Sequence, residues 1–147
     1  MRDKIFVDTN ILVYLSNEDS SFHVEVNKKF IEISAQYELW ISRQVLREYA
    51  VVMSSPAIIE KPLTAEEVVQ DIEKWGKIFK IADETSEVTE ILKKLIKEYD
   101  LKGKRIHDAN IVATMLANLI NKLYTLNIDD FKKFKGIELF SFQELIK

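Results

Sequence analysis

The chain has 147 residues, of which 47% are hydrophobic and 31% charged, with a formal net charge of −3 at pH 7; these values are typical of one soluble globular domain and not of a strongly basic nucleic-acid binder. The absence of cysteine and the presence of only three glycines exclude disulfides, thiolate metal sites and glycine-rich phosphate loops. The sequence has neither an apolar run long enough for a membrane span nor a signal-peptide pattern, so we expect a cytoplasmic protein that does not enter a membrane.

The first predicted element is a short buried strand, Ile5 to Val7, which ends at the polar residues Asp8, Thr9 and Asn10 before a short apolar helix. Burying an ionised carboxylate without a partner is costly or raises its pKa. Asp8 therefore needs compensation at this corner. It either caps the following helix through its side-chain oxygen or belongs to a functional site, and this stretch alone does not distinguish the two.

The spacing of apolar residues predicts that the rest of the chain alternates between helices and strands. In chain order we expect a helix over 21–35, a strand over 37–42, a helix over 43–53, a helix opened by a capping box at Thr64–Glu67, a strand over 77–83, a helix over 86–99, a helix from His107, a strand over 122–126, a helical turn over 129–134 and a strand over 138–142. This order predicts an α/β fold with a mostly parallel sheet of about five strands and helices on both faces. No linker interrupts the pattern, so residues 1–147 are predicted to form a single domain.

Several acidic residues stand where a solvated surface does not explain them. Asp108 begins the apolar stripe of its predicted helix, and Glu48 lies on or beside the inward face of its own. Asp8 follows the first strand, while Asp129 and Asp130 follow the fourth. Functional groups in an open α/β sheet gather at the carboxyl ends of strands, so we expect these carboxylates to converge. The pattern favours a phosphoryl-transfer site that binds Mg²⁺ or Mn²⁺, and the alternative is a structural network of caps and ion pairs.

Four segments together resemble the PIN-domain ribonucleases, and most closely the small VapC-type toxins. They are FVDTN at 6–10, ISRQVLREY at 41–49, IHDANIVATM at 106–115 and TLNIDDF at 125–131. The resemblance implies a PIN-like three-layer sandwich and an endoribonuclease that uses Mg²⁺ or Mn²⁺ to hydrolyse RNA as the toxin of a toxin–antitoxin pair. It further implies an antitoxin partner and a homodimer. The alternative is a weak or inactive PIN fold that binds RNA or protein.

The resemblance assigns metal and water binding to four acidic residues: Asp8, Glu48, Asp108 and Asp130. The fourth of these is the least defined, because Asn127 stands where many relatives carry an acidic residue. Asp129 and Asn127 are therefore the alternatives to Asp130. An asparagine at that position would hold a second metal ion only weakly.

Two further sets of residues receive supporting roles. Hydrogen bonds that orient the carboxylates are expected from Thr9, Asn10 and Thr125. RNA phosphates are expected to be bound by Lys104, Arg105 and Arg47, which flank the acidic segments. For any single basic residue, ordinary solvated surface is the simpler interpretation.

Overall fold

The computed structural model describes residues 2–142 and is built on a five-stranded sheet in the order β3-β2-β1-β4-β5. The strands are β1 (Lys4–Val7), β2 (Glu38–Ser42), β3 (Lys80–Ala82), β4 (Lys122–Tyr124) and β5 (Glu138–Phe140). All four strand pairings are parallel, and Phe6 in the central strand lies opposite both Trp40 of β2 and Leu123 of β4. The predicted α/β fold with a parallel sheet of about five strands is confirmed.

Seven helices connect these strands within residues 2–142: α1 (Thr9–Ser16), α2 (His23–Gln36), α3 (Arg43–Ser54), α4 (Ala65–Ile78), α5 (Ser86–Tyr99), α6 (Arg105–Ala117) and α7 (Ile128–Phe131). The predicted capping box is present, since the Thr64 hydroxyl accepts the Glu67 N–H and the Glu67 carboxylate accepts the Thr64 N–H. Over the described part of the chain, no helix has the length and apolar character needed to cross a bilayer.

The helices form two groups on the two sides of the sheet. Helices α1 to α4 pack with one another, and α5 packs with α6. The chain runs from β1 outward to β3 and then returns to β4 on the other side of β1. Right-handed crossovers change face when the direction of travel reverses, so the two groups cover opposite faces. Covered on both sides, Ile5, Phe6 and Val7 of β1 are completely buried.

The third strand begins later in the chain than predicted. Lys77 and Ile78, predicted as strand, form the last turn of α4, and the strand itself begins at Lys80. The apolar residues in this segment satisfy a helix as well as a strand, because the Trp75 and Phe79 rings pack together with centroids 5.9 Å apart at the helix end. Helix α6 likewise begins at Arg105, two residues before the predicted start, which puts Asp108 inside the first turn.

Candidate active site

An open cavity of about 380 Å³ lies at the carboxyl end of the central strand. The strand order reverses between β1 and β4, and such a switch point leaves a crevice beyond the ends of the strands. Three carboxylates from three different elements line the cavity, Asp8 after β1, Glu48 on α3 and Asp108 on α6, together with Asn127 after β4. Asp8, Glu48 and Asp108 therefore converge as expected, whereas Asp129 and Asp130 do not line this cavity.

Asp8 combines the two roles that the sequence left open. Its Oδ1 accepts the Thr9 N–H at 2.8 Å and so caps α1, while its Oδ2 accepts the Thr125 hydroxyl at 2.8 Å. Only 6% of the residue is exposed. The pKa of Asp8 is raised to about 6, mainly by burial and to a smaller extent by the charges of Glu48 and Asp108, while the hydrogen bonds from Thr125 and Thr9 oppose the rise. Asp8 is thus a helix cap that also belongs to an acidic site.

Glu48 is positioned by the helix that starts directly at the end of β2. The Ser42 hydroxyl accepts the Val45 N–H at 3.3 Å and caps α3, so Glu48 follows in the second turn. The Thr9 hydroxyl then donates to Glu48 Oε1 at 3.1 Å. One threonine therefore links the cap of α1 to the acidic residue of α3.

Asp108 is partly buried in the first turn of α6, where helix N–H groups favour negative charge. Its pKa is nevertheless raised to about 6, first by burial and then by the negative charge of Asp130, with Glu48 adding a smaller effect. The positive charges of Lys133 and His107 act in the opposite direction. Asp130 is thereby close enough to Asp108 to repel it, although it does not line the cavity.

The three alternatives for the fourth position occupy different places. Asp129 points into solvent with 89% of its side chain exposed and pairs with Lys132 at 2.9 Å. Asn127 lines the cavity, and its N–H donates to the Thr125 hydroxyl at 3.0 Å. Asp130 acts electrostatically on Asp108. Asp129 is consequently the least suited of the three to the site.

The chemistry of the donors fits a hard divalent cation. Carboxylate oxygens are the ligands that Mg²⁺ and Mn²⁺ prefer. Burial is the main cause of the raised pKa values of Asp8 and Asp108, and neighbouring negative charges add to it. Across residues 2–142, however, no group of three or more histidine, aspartate or glutamate side chains is arranged to hold a metal ion. The residue types fit, and the side chains as placed do not form a complete coordination shell.

The predicted hydrogen-bonding residues have different surroundings. Thr125 is fully buried and contacts Asp8, and Thr9 contacts Glu48. Asn10 instead accepts the Leu126 N–H at 3.4 Å, which ties α1 to the segment after β4. Its Nδ2 is buried without a hydrogen-bond partner among the described residues. Asn10 therefore lines the cavity without contacting a carboxylate through a hydrogen bond.

The predicted basic residues differ in whether they form ion pairs with acidic side chains. Arg47 is exposed and forms an ion pair with Glu84 at 3.6 Å. Lys104 and Arg105 are exposed at the start of α6, and neither has an ion pair within residues 2–142. Lys133, three residues after Asp130, is the basic residue with the largest effect on Asp108, whose pKa it lowers.

Five residues with largely apolar side chains also line the cavity, and the sequence does not predict their place in it. They are Val13, Tyr14, Val52, Ile58 and Ile111. Ile58 is 59% exposed and belongs to the loop that follows α3. The sequence carried no periodic signal for a loop residue of this kind, so its part in the cavity depends on the tertiary fold.

Comparison with known proteins gives one consistent family. The PIN domain family model matches residues 5–137. Ribonuclease VapC24 of Mycobacterium tuberculosis is 25% identical over 134 residues, which cover 87% of this chain and 89% of that relative. This chain therefore has nearly the same extent as its relative.

Solved structures with the same fold come from several bacteria. The VapBC2 structure from Rickettsia felis, bound to a promoter DNA fragment, has a TM-score of 0.71 and 20% identity, with 93% of this chain and 97% of that chain covered. The M. tuberculosis toxin VapC20, which cleaves the sarcin-ricin loop, has a TM-score of 0.66 and 18% identity, with 92% and 99% covered. At these identities the similarity establishes the fold alone.

Proposed function

Because the chain belongs to the PIN-domain family, we propose that it is a metal-dependent endoribonuclease that hydrolyses RNA phosphodiester bonds as the toxin of a toxin–antitoxin pair. The observation that carries the proposal is the convergence of Asp8, Glu48 and Asp108 on one cavity at the switch point of the sheet. The similarity to a relative named as a ribonuclease supports it. Residues 1–147 would act as one catalytic domain.

Asp8, Glu48 and Asp108 would hold Mg²⁺ or Mn²⁺, with Asp130 as the fourth acidic residue. When bound, such an ion lowers the pKa of a water molecule, orients the phosphate and neutralises charge on the leaving oxygen. The carboxylates of the site lie close enough to oppose one another's ionisation, and a divalent cation would remove that repulsion.

The other side chains of the site would orient ligands and substrate. Thr125 holds one oxygen of Asp8 and Thr9 holds one oxygen of Glu48, which fixes the direction of the remaining lone pairs. Lys104 and Arg105 would bind RNA phosphates beside Asp108. Arg47 is less suited to this role because it is paired with Glu84.

The test is cleavage of single-stranded RNA with Mg²⁺ or Mn²⁺ by the unmodified protein and by Asp8→Asn and Asp108→Asn. Each variant is expected to lose about 100-fold or more, because an amide replaces an anionic ligand. Asp129→Asn is the matched control, since Asp129 faces solvent, and it should cleave normally. Equal cleavage by all four proteins would contradict the mechanism. Failure of the unmodified protein to cleave with either metal would favour a PIN-fold module that binds RNA or protein without cutting it.

We also propose that the protein pairs with itself in the cytoplasm and binds an antitoxin. Exposed apolar side chains on helices α2 and α3 support a partner surface, among them Val24 and Ile31 on α2 and Val51 on α3. The molar mass of the purified chain by light scattering tests the homodimer. Co-purification with the product of an adjacent antitoxin gene, together with loss of RNA cleavage in that complex, tests the antitoxin.

A further inference from the structure

Gln44 on α3 is a buried polar residue whose amide joins two helices. Only 4% of the residue is exposed. Its Nε2 donates to the His107 carbonyl at 3.0 Å, and its Oε1 accepts from Asn110 Nδ2 at 2.8 Å. Burying an amide is unfavourable unless both ends are bonded. An apolar side chain of similar size would fill the same space, so the amide is explained by the two groups of α6 that it binds.

The two helices joined by Gln44 otherwise belong to different parts of the molecule. Helix α3 packs against α1 and α4, whereas α6 packs against α5 and α7. Glu48 lies one turn beyond Gln44 on α3, and Asp108 directly follows His107 on α6. The Gln44 amide therefore connects the two helices close to both carboxylates.

This connection opposes an electrostatic repulsion. Glu48 and Asp108 carry like charges that face the same cavity, and like charges at short range push their helices apart. The bonded network also continues beyond Asn110, whose Nδ2 is 3.4 Å from Glu84 Oε1, and Glu84 pairs with Arg47 beside Glu48. The chain of contacts thus leaves α3 at Gln44 and returns to it at Arg47.

We propose that Gln44 is a positioning residue of the metal site, which bridges α3 to α6 and holds Glu48 and Asp108 on the same cavity, where both would contribute to binding one divalent ion. The inference rests on the proposed function, because it assigns a role toward the metal of that same site. Gln44 itself does not line the cavity, so it acts through the two carboxylates.

The test measures Mn²⁺ affinity directly, by calorimetry or by the electron paramagnetic resonance signal of free Mn²⁺. Gln44→Met keeps the size of the side chain and removes both hydrogen bonds. It is expected to raise the Kd for Mn²⁺ about 10-fold, as loss of a residue that orients metal ligands does. Lys4→Met is the matched control, because Lys4 donates to the Asn118 carbonyl at 3.1 Å at the opposite end of α6. The control should bind Mn²⁺ as the unmodified protein does.

RNA cleavage provides the second readout. In Gln44→Met the Mn²⁺ concentration for half-maximal cleavage should rise about 10-fold, and saturating Mn²⁺ should restore much of kcat. A merely structural role would lower stability without changing this Mn²⁺ dependence. If Gln44→Met does not fold, Asn110→Ala removes one of the two bonds and should raise the Kd about 3-fold.

Two results separate this inference from the proposed function. Unchanged Mn²⁺ affinity in folded Gln44→Met, or in Asn110→Ala where the first variant does not fold, would overturn the role of Gln44 while leaving the nuclease proposal intact. Absence of Mn²⁺ binding by the unmodified protein would overturn the proposed function, and the role of Gln44 with it.

Discussion

Glu48 and Tyr49 are neighbours on α3, and their side chains belong to two polar clusters that differ in charge and in hydrogen bonding. Glu48 faces Asp8 and Asp108 across the cavity, where acceptors outnumber donors. The Tyr49 hydroxyl donates to Asp71 Oδ2 at 2.5 Å, and its oxygen lies 2.7 Å from the hydroxyl of Ser16. The first cluster is acidic and open, and the second is partly buried and joins two hydroxyl groups to one carboxylate.

The two clusters are suited to different roles: the acidic one to binding a ligand and the Tyr49 cluster to stabilising the fold. The Tyr49 cluster ties α1, α3 and α4 together, and burial and the bond to Asp71 both raise the pKa of Tyr49, so its hydroxyl stays protonated and donates. The acidic cluster has negative charges that its own hydrogen bonds do not neutralise. An excess of like charge lowers stability unless a cation binds, so this cluster is suited to a ligand and the other to the fold.

The largest expected effect comes from removing a charge from the acidic cluster. Glu48→Gln preserves the size of the side chain and its bond from Thr9 but removes the charge. We expect RNA cleavage to fall about 100-fold or more, because a neutral amide is a poor ligand for Mg²⁺ or Mn²⁺. Single-turnover cleavage at saturating RNA measures the change. Activity within a few-fold of the unmodified protein would mean that Glu48 stabilises the fold and does not bind the metal.

The second prediction concerns stability and pH. The pKa of Asp8 in the folded protein is about 6, above the ordinary 3.8, so the folded state holds its proton to a higher pH than the unfolded state does. Stability from this group is therefore highest below about pH 4 and is lost as the pH rises through about 6. Asp8→Asn should remove that loss and raise the unfolding free energy at pH 7.5 by about 2 kcal/mol.

Urea unfolding with a chelator at pH 4.5 and pH 7.5 checks this prediction. Only the difference between Asp8→Asn and the unmodified protein counts, because the pKa values of Glu38 and Glu67 are lowered and give the opposite pH dependence. A variant less stable than the unmodified protein at pH 7.5 would show that the two hydrogen bonds to Asp8 outweigh the burial of its charge.

The third prediction concerns the loss of a hydrogen bond from the Tyr49 cluster. Tyr49→Phe removes the hydroxyl and leaves Asp71, among the partners within residues 2–142, with the ion pair to Lys74 at 4.0 Å. The unfolding free energy should fall by about 1–2 kcal/mol. Cleavage measured well below the melting temperature should stay within about 3-fold, because the hydroxyl is not in the acidic cluster. A loss of activity as large as that of Glu48→Gln would mean that the two clusters act as one unit.

The smallest expected effect concerns two basic residues that differ in whether they form an ion pair. Arg105 has no ion pair within the described chain, whereas Arg47 is paired with Glu84. Arg105→Ala should weaken RNA binding and reduce the slope of log affinity against log salt by about 0.7, as expected for one lost phosphate contact to a single strand. Arg47→Ala should leave the slope unchanged. Fluorescence anisotropy with the inactive Asp8→Asn protein measures both, and equal slopes for the two variants would contradict the assignment.

The features that the sequence predicted well are those with a local cause. The apolar spacing located α5 at its observed bounds, Ser86–Tyr99, and the capping box located the start of α4. Asp8 was identified because a carboxylate next to a buried strand needs compensation. The strand at 77–83 was misplaced because the same apolar residues fit the end of a helix.

The features that were missed depend on contacts between distant parts of the chain. Gln44 reads locally as one more polar helix residue, and its role appears only when His107 and Asn110, more than 60 positions away, come into contact with it. The sequence does not decide the fourth acidic position for a related reason, because Asn127 just before α7 and Asp129 and Asp130 within it lie close together in sequence and differ in the direction that each side chain takes. Periodicity does not specify that direction.

The hydrogen bond from Thr125 to Asp8 joins residues 117 positions apart, and this has a consequence for synthesis of the protein. Asp8 and Glu48 leave the ribosome early, but Asp108 and Thr125 are made only in the last third of the chain. A nascent or truncated chain that ends before β4 would have part of the acidic cluster and no complete site. The order of translation therefore delays any RNA-cutting activity until the chain is nearly finished.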